Sequence, residues 1–116
     1  MPDYEVNEAG VARARELIDA GRYDDTTGWS EAAPSAADEN EEREHEGQEG
    51  YAEWHLAVDP DEGEGTKGRY RFPYGDFTSV NRAALIHAKQ RASQNDHSEI
   101  EQAADELLQR LDAKRA

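Results

Sequence analysis

The chain has 116 residues, 35% hydrophobic and 34% charged, with 27 acids against 13 bases for a formal net charge of −14. That length excludes more than one domain, and no apolar run approaches the ~20 residues needed to span a bilayer. There is no cysteine, which excludes a disulfide framework, a thiolate zinc site and thiol catalysis. No secretory h-region follows Met1, so a soluble, cytoplasmic (or virion-associated) protein is expected.

The charge is unevenly placed. Residues 31–66 hold 13 acids and 1 base, whereas residues 67–116 hold 7 acids and 9 bases. The acidic excess repels phosphate backbones and disfavours nucleic acid as a partner. Of the 13 bases, 10 are arginine. Many acids with few lysines is a halophilic bias, since acidic surfaces stay hydrated in concentrated salt; an acidic linker in an ordinary cytosol is the plainer reading.

In chain order, residues 1–30 predict one helix and a connector. Asn7 is placed to cap the helix, and Val11, Ala14, Leu17 and Ile18 form its apolar stripe. Gly21 is the natural stop, and Trp29 anchors the turn-rich stretch that follows. Residues 31–50 offer almost nothing to bury and read as a disordered acidic loop. Residues 51–116 read as a hairpin followed by two helices, the whole forming a single domain.

"YAEWHLAVD" alternates over eight residues, with Ala52, Trp54, Leu56 and Val58 on one face, and predicts a half-buried strand. "RYRFP" alternates again and pairs most simply as the second strand of an antiparallel β-hairpin, ended by Pro73. Ser79 or Asp76 is expected to cap a helix through "VNRAALIHAKQRASQ". Ser98 and Glu101 read as a capping box. Beyond them Ile100, Ala103, Ala104, Leu107, Leu108 and Leu111 make the most regular amphipathic face in the chain. The two helices predict a helical hairpin, so the fold class is α+β. The expected core comprises Trp54, Leu56, Tyr70, Phe72, Phe77, Leu107 and Leu108.

Little in the chain points to catalysis. Ser30, Ser35, Ser79, Ser93 and Ser98 lack a Gly-x-Ser-x-Gly elbow, and Gly63, Gly65 and Gly68 with Lys67 lack the phosphate-loop order. His45, His55, His87 and His97 have no ligand spacing, although His55 and His87 can meet across strand and helix. The acidic runs do not fit a calcium loop. The expectation is a protein that is not an enzyme, with no catalytic residue, metal or cofactor; a cryptic hydrolase ranks third. Arg69, Arg71, Arg82, Lys89 and Arg91 lie within 23 residues. Either they neutralise the chain's own acids or they form a patch for an acidic protein partner or, as the alternative function, for a nucleic acid.

In "VNEAGVARARELIDAGRYDDTTGWS", "YAEWHLAVD", "GTKGRYRFPYGDF", "VNRAALIHAKQRASQ" and "IEQAADELLQRLD", taken in that order, the chain resembles a small module of tailed-phage and provirus head proteins, often linked to prohead proteases. The piece "TKGRYRFPYGD…VNRAALIHAKQRA" carries most of the likeness. The resemblance implies a non-enzymatic interaction or assembly role, with a phage head or maturation protein as partner. It transfers no catalytic residue. No protease segment flanks the module in this chain, so no proteolytic activity is expected.

Overall fold

A computed structural model describes residues 4–63 and 65–115. The chain opens with a short strand, β1 (Glu5–Val6), and the helix α1 (Glu8–Asp19). Asn7 stands at the N-cap position, but its side chain does not cap. Its amide instead donates to the carbonyls of Ala52 (2.8 Å) and His55 (3.1 Å), tying the start of α1 to the middle of the chain. Val11, Ala14, Leu17 and Ile18 are buried, as their spacing predicts. Gly21 has φ 78°, and the Arg22 amide reaches back to the Leu17 carbonyl at 2.8 Å. Glycine adopts that left-handed turn without a steric cost.

A strand β2 (Tyr23–Asp24) and one turn of helix, α2 (Trp29–Ala32), lead into α3 (Ala36–Ala52). Trp29 is only half-buried. Most of the acidic segment expected as a loop is therefore given a helical backbone, for identifiable local reasons. Ser35 and Asp38 form a reciprocal capping box, Asp38 and Glu39 occupy the positive end of the helix dipole, and alanine and glutamate are good helix formers. Gly47, with φ 75° and ψ 178°, breaks the helix into two arms. Only Tyr51 of α3 is buried.

The strand β3 (His55–Val58) begins four residues later than the alternation suggests, because Tyr51 and Ala52 finish α3. β3 lies between β1 and β4 (Tyr70–Pro73), antiparallel to both, with Ala57 opposite Val6 and Arg71. His55, Leu56 and Ala57 are all buried, since a central strand is covered on both faces. The β3–β4 hairpin is thus present. A further strand, β5 (Val80–Asn81), pairs in parallel with β2.

Asn81, rather than Ser79 or Asp76, caps α4 (Arg82–Gln94), accepting from the Ala84 amide at 2.9 Å. Asp76 accepts from the Thr78 and Ser79 amides and closes its own turn. α5 (Ser98–Arg115) runs antiparallel to α4 as a helical hairpin. Ser98 is its first residue, and the His97 carbonyl takes the Glu101 amide. Arg82 bonds Asp112; seven residues on in α4, Lys89 bonds Asp105, seven residues back in α5. Along this seam the small buried residues Ala84, Ala88 and Ala92 permit close approach, Ala88 clustering with Leu107 and Leu108 and Ala92 with Ile100.

Trp54, Leu56, Leu107 and Leu108 are buried as expected. Phe72 and Phe77 are half-buried and pack against the core edge, and Tyr70 is half-buried outside it. The most enclosed ring among the described residues is Tyr74, 0% exposed, stacked on Trp54 with centroids 5.4 Å apart. Its hydroxyl donates to the Glu53 carbonyl at 2.6 Å. Sequence alternation misses Tyr74 because it follows the strand instead of lying in it. No helix among the described residues is long and apolar enough to cross a membrane.

Candidate functional site

The five cations proposed as a patch do not stay together. Arg82 makes a two-pronged bond to Asp112 (2.8 and 3.2 Å), and Lys89 bonds Asp105 at 2.8 Å. These hydrogen bonds hold both aspartates below the usual carboxylate range and raise both bases. Both cations fasten the helical hairpin. Arg69 donates to the Glu62 carbonyl at 2.8 Å and ties down the connection between β3 and β4. Only Arg71 and Arg91 converge on a common feature.

That feature is a surface cleft of about 720 Å³. One wall is strand β4 with the residue before its 3-10 turn end: Gly68, Tyr70, Arg71, Phe72 and Pro73. The opposite wall is α4 and its C-cap, where His87, Arg91 and Asn95 recur every fourth residue and so lie along one face. Tyr4 and His97 close one end. Tyr51, His55 and Glu39 belong to α3 and the start of β3.

The rings interlock. Tyr4 stacks on His97 at 4.8 Å, meets Phe72 edge-on at 6.1 Å, and lies under the Arg71 guanidinium at 5.7 Å. Tyr51 contacts Tyr70 (5.8 Å) and His55 (4.8 Å). His55 is 4% exposed, and burial drives its pKa down to about 4, so the ring is neutral at physiological pH. Its Nδ1 lies 3.1 Å from the Tyr51 carbonyl, an acceptor, so Nδ1 carries the hydrogen. Burial also pushes Tyr51 up to about 12, with the Glu39 charge adding to it.

Phe72 has φ 60°. A bulky residue in that region is strained by roughly 1–3 kcal/mol and persists only where its surroundings impose it. Such strain gathers at ligand sites, and here it lies in the cleft wall. The arrangement offers two guanidinium groups and several ring faces, a combination suited to holding carboxylates and side chains by contact. Among the described residues no three histidine or acidic side chains come close enough together to hold a metal ion.

The sequence singles out Arg71 and Arg91 for a patch but assigns Tyr70 and Phe72 to the core, whereas all four line the cleft, as do His55 and His87; it gives no sign of Tyr4, Tyr51, Asn95 and His97. The fourfold spacing of His87, Arg91 and Asn95 is visible; nothing local links it to Tyr4, which stands just before β1 at the other end of the chain.

Fold and cleft define a small α+β protein with an open aromatic and cationic groove. Comparison with protein-family models, curated proteins and solved structures gives no match.

Proposed function

We propose that this protein is a non-enzymatic interaction module that binds a protein partner through the β4–α4 cleft, in a viral or proviral assembly setting. The carrying observation is the convergence of Arg71 and Arg91, neither with a carboxylate partner among the described residues, on a groove walled by Tyr4, Tyr51, Tyr70 and Phe72. Arginine and tyrosine are the side chains that concentrate binding energy in protein interfaces. The viral setting rests on the resemblance of "TKGRYRFPYGD…VNRAALIHAKQRA" to the phage-head module. Against the nucleic-acid alternative count the net charge of −14 and the pairing of Arg82 and Lys89 with Asp112 and Asp105.

The test is photo-cross-linking with p-benzoylphenylalanine placed at position 70, and at exposed Gln102 of α5 as a control. A partner captured from position 70 and not from 102 supports the reading, and a head or maturation component among the captured proteins supports the setting. Equal capture from both positions overturns the cleft as the binding surface.

A further inference from the structure

β4 is an edge strand. It pairs with β3 on one side, and nothing among the described residues pairs with the other. At the head of the ladder the Asp59 amide donates to the Arg69 carbonyl, opposite it in register. Antiparallel ladders alternate, so Arg71 turns its backbone groups to β3 and Tyr70 turns its own outward. Successive strand residues point to opposite faces. A cleft touched by Tyr70, Arg71, Phe72 and Pro73 alike therefore runs along the strand's free edge instead of lying on one face.

We propose that this edge takes an extended acidic segment of the partner protein, added to β4 as a further strand, with its carboxylates on Arg71 and Arg91. The proposal rests on the cleft being the binding surface and names what it recognises. Main-chain bonds to an open edge supply affinity that is independent of sequence, and side chains along the groove supply selectivity. Arg71 and Arg91 stand on opposite walls, so carboxylates of one peptide can engage both, while its alternate side chains meet the Phe72 and Tyr70 rings. Beyond Phe72 the alternation breaks, since the Tyr74 amide donates to the Trp54 carbonyl, and that break sets where the pairing stops. Among the described residues Glu39 is the one acidic side chain lining the groove, and the two guanidinium groups place the ligand's acids at the Arg71–Arg91 end. For a chain of net charge −14 to select acidic peptides runs against its overall field. Such a preference is accordingly diagnostic of the local site.

The experiment is selection from a random octapeptide display library on the full chain, followed by fluorescence anisotropy on the best synthetic binder. Bound sequences are expected to be enriched in Asp and Glu. Arg71→Ser combined with Arg91→Ser should weaken the best peptide at least tenfold while the variant remains folded by circular dichroism at the assay temperature. N-methylation of alternate amides of the peptide should weaken it tenfold again, because those amides pair with the edge. Neutral or basic selected sequences, or equal affinity for the double variant, overturn the acidic ligand; full affinity of the N-methylated peptide overturns strand addition. An oligo-dT 15-mer that binds more tightly than the peptide, and through the same two arginines, overturns a peptide in favour of nucleic acid. Cross-linking from position 70 without any acidic selection leaves the cleft as a binding surface and rejects this ligand chemistry alone.

Discussion

Gly10 of α1 sits against the His55 carbonyl of β3 so closely that a Cβ at position 10 would overlap the carbonyl oxygen. Asn7 donates to the same carbonyl, so helix and strand are held together by contact and by a hydrogen bond within one turn of α1. Alanine is the better helix former by about 1 kcal/mol, which favours Gly10→Ala. The obstacle is backbone in the central strand, and it cannot yield without disturbing pairing on both sides. Overpacking wins: Gly10→Ala should lower stability by about 2 kcal/mol or more in urea melts. Gly28→Ala, where nothing lies within 4 Å, should stay within about 0.5 kcal/mol of the parent. Equal stability of the two variants would show that α1 does not lie this close to β3.

The neutral, buried His55 makes stability depend on pH. Its folded pKa of about 4 lies below the usual value of 6.5, so between these limits the unfolded chain binds the extra proton. Its contribution is fully present above pH 6.5, falls as pH drops and is gone near pH 4. The shift corresponds to about 3 kcal/mol. His55→Asn keeps a donor for the Tyr51 carbonyl and removes the titration. The difference in unfolding free energy between parent and variant should change by that amount across pH 4–6.5. The depressed carboxylates Asp19, Asp24, Asp76, Asp105 and Asp112 titrate lower and are common to both proteins, so they cancel. A difference that stays constant with pH places the ring in water.

What the sequence made legible follows physical range. The helices α1, α4 and α5 were readable because their apolar residues recur within a few turns, and the hairpin was readable from two alternating runs close together. The arms β1 and β2 were not, because a two-residue strand has no periodicity and exists only through a partner more than fifty residues away. Tyr74 was passed over for Tyr70 and Phe72 because alternation ranks residues by parity, whereas burial here follows from stacking on Trp54 beyond the strand end. The cleft was half legible: the clustered arginines marked the region, but Asp112 and Asp105, which claim Arg82 and Lys89, lie in another helix.

The first arm of α3 should be the least protected helix in the molecule. It carries strong local helix signals, yet from Ala36 to Glu46 none of its residues is buried, and Gly47 uncouples it from anchored Tyr51. Helices of this length are marginal without packing. Native-state hydrogen exchange should find amides 39–46 exchanging at least ~100-fold faster than those of Leu107 and Leu108, both buried in α5. Comparable protection would mean that this arm is held by contacts as firm as the core.

Salt should stabilise the protein, and two opposed effects decide the sign. Cross-element ion pairs join Arg15 to Glu106, Arg110 to Asp19, Arg82 to Asp112, Lys89 to Asp105 and Arg115 to Asp25. All are partly solvated; such pairs are worth ~0.2–1 kcal/mol each and weaken with salt. Against them stands an excess of 14 negative charges on a chain with a radius of gyration of 13.2 Å. The repulsion is felt locally as well: burial first, and then the charge of Glu46 one turn on, raise the pKa of Glu42. Moving from 0.1 M to 1 M salt shortens the screening length from about 10 to about 3 Å. That removes most repulsion between carboxylates a helical turn or more apart, whereas contacts of 2.7–3.1 Å keep part of their attraction. The many longer-range repulsions therefore lose more than the few close attractions. The melting temperature should rise from low to molar KCl, most steeply for amides of α3 followed by exchange. A melting temperature that is flat or falls across that range would mean that the ion pairs outweigh the acidic excess and that the composition is no adaptation to salt.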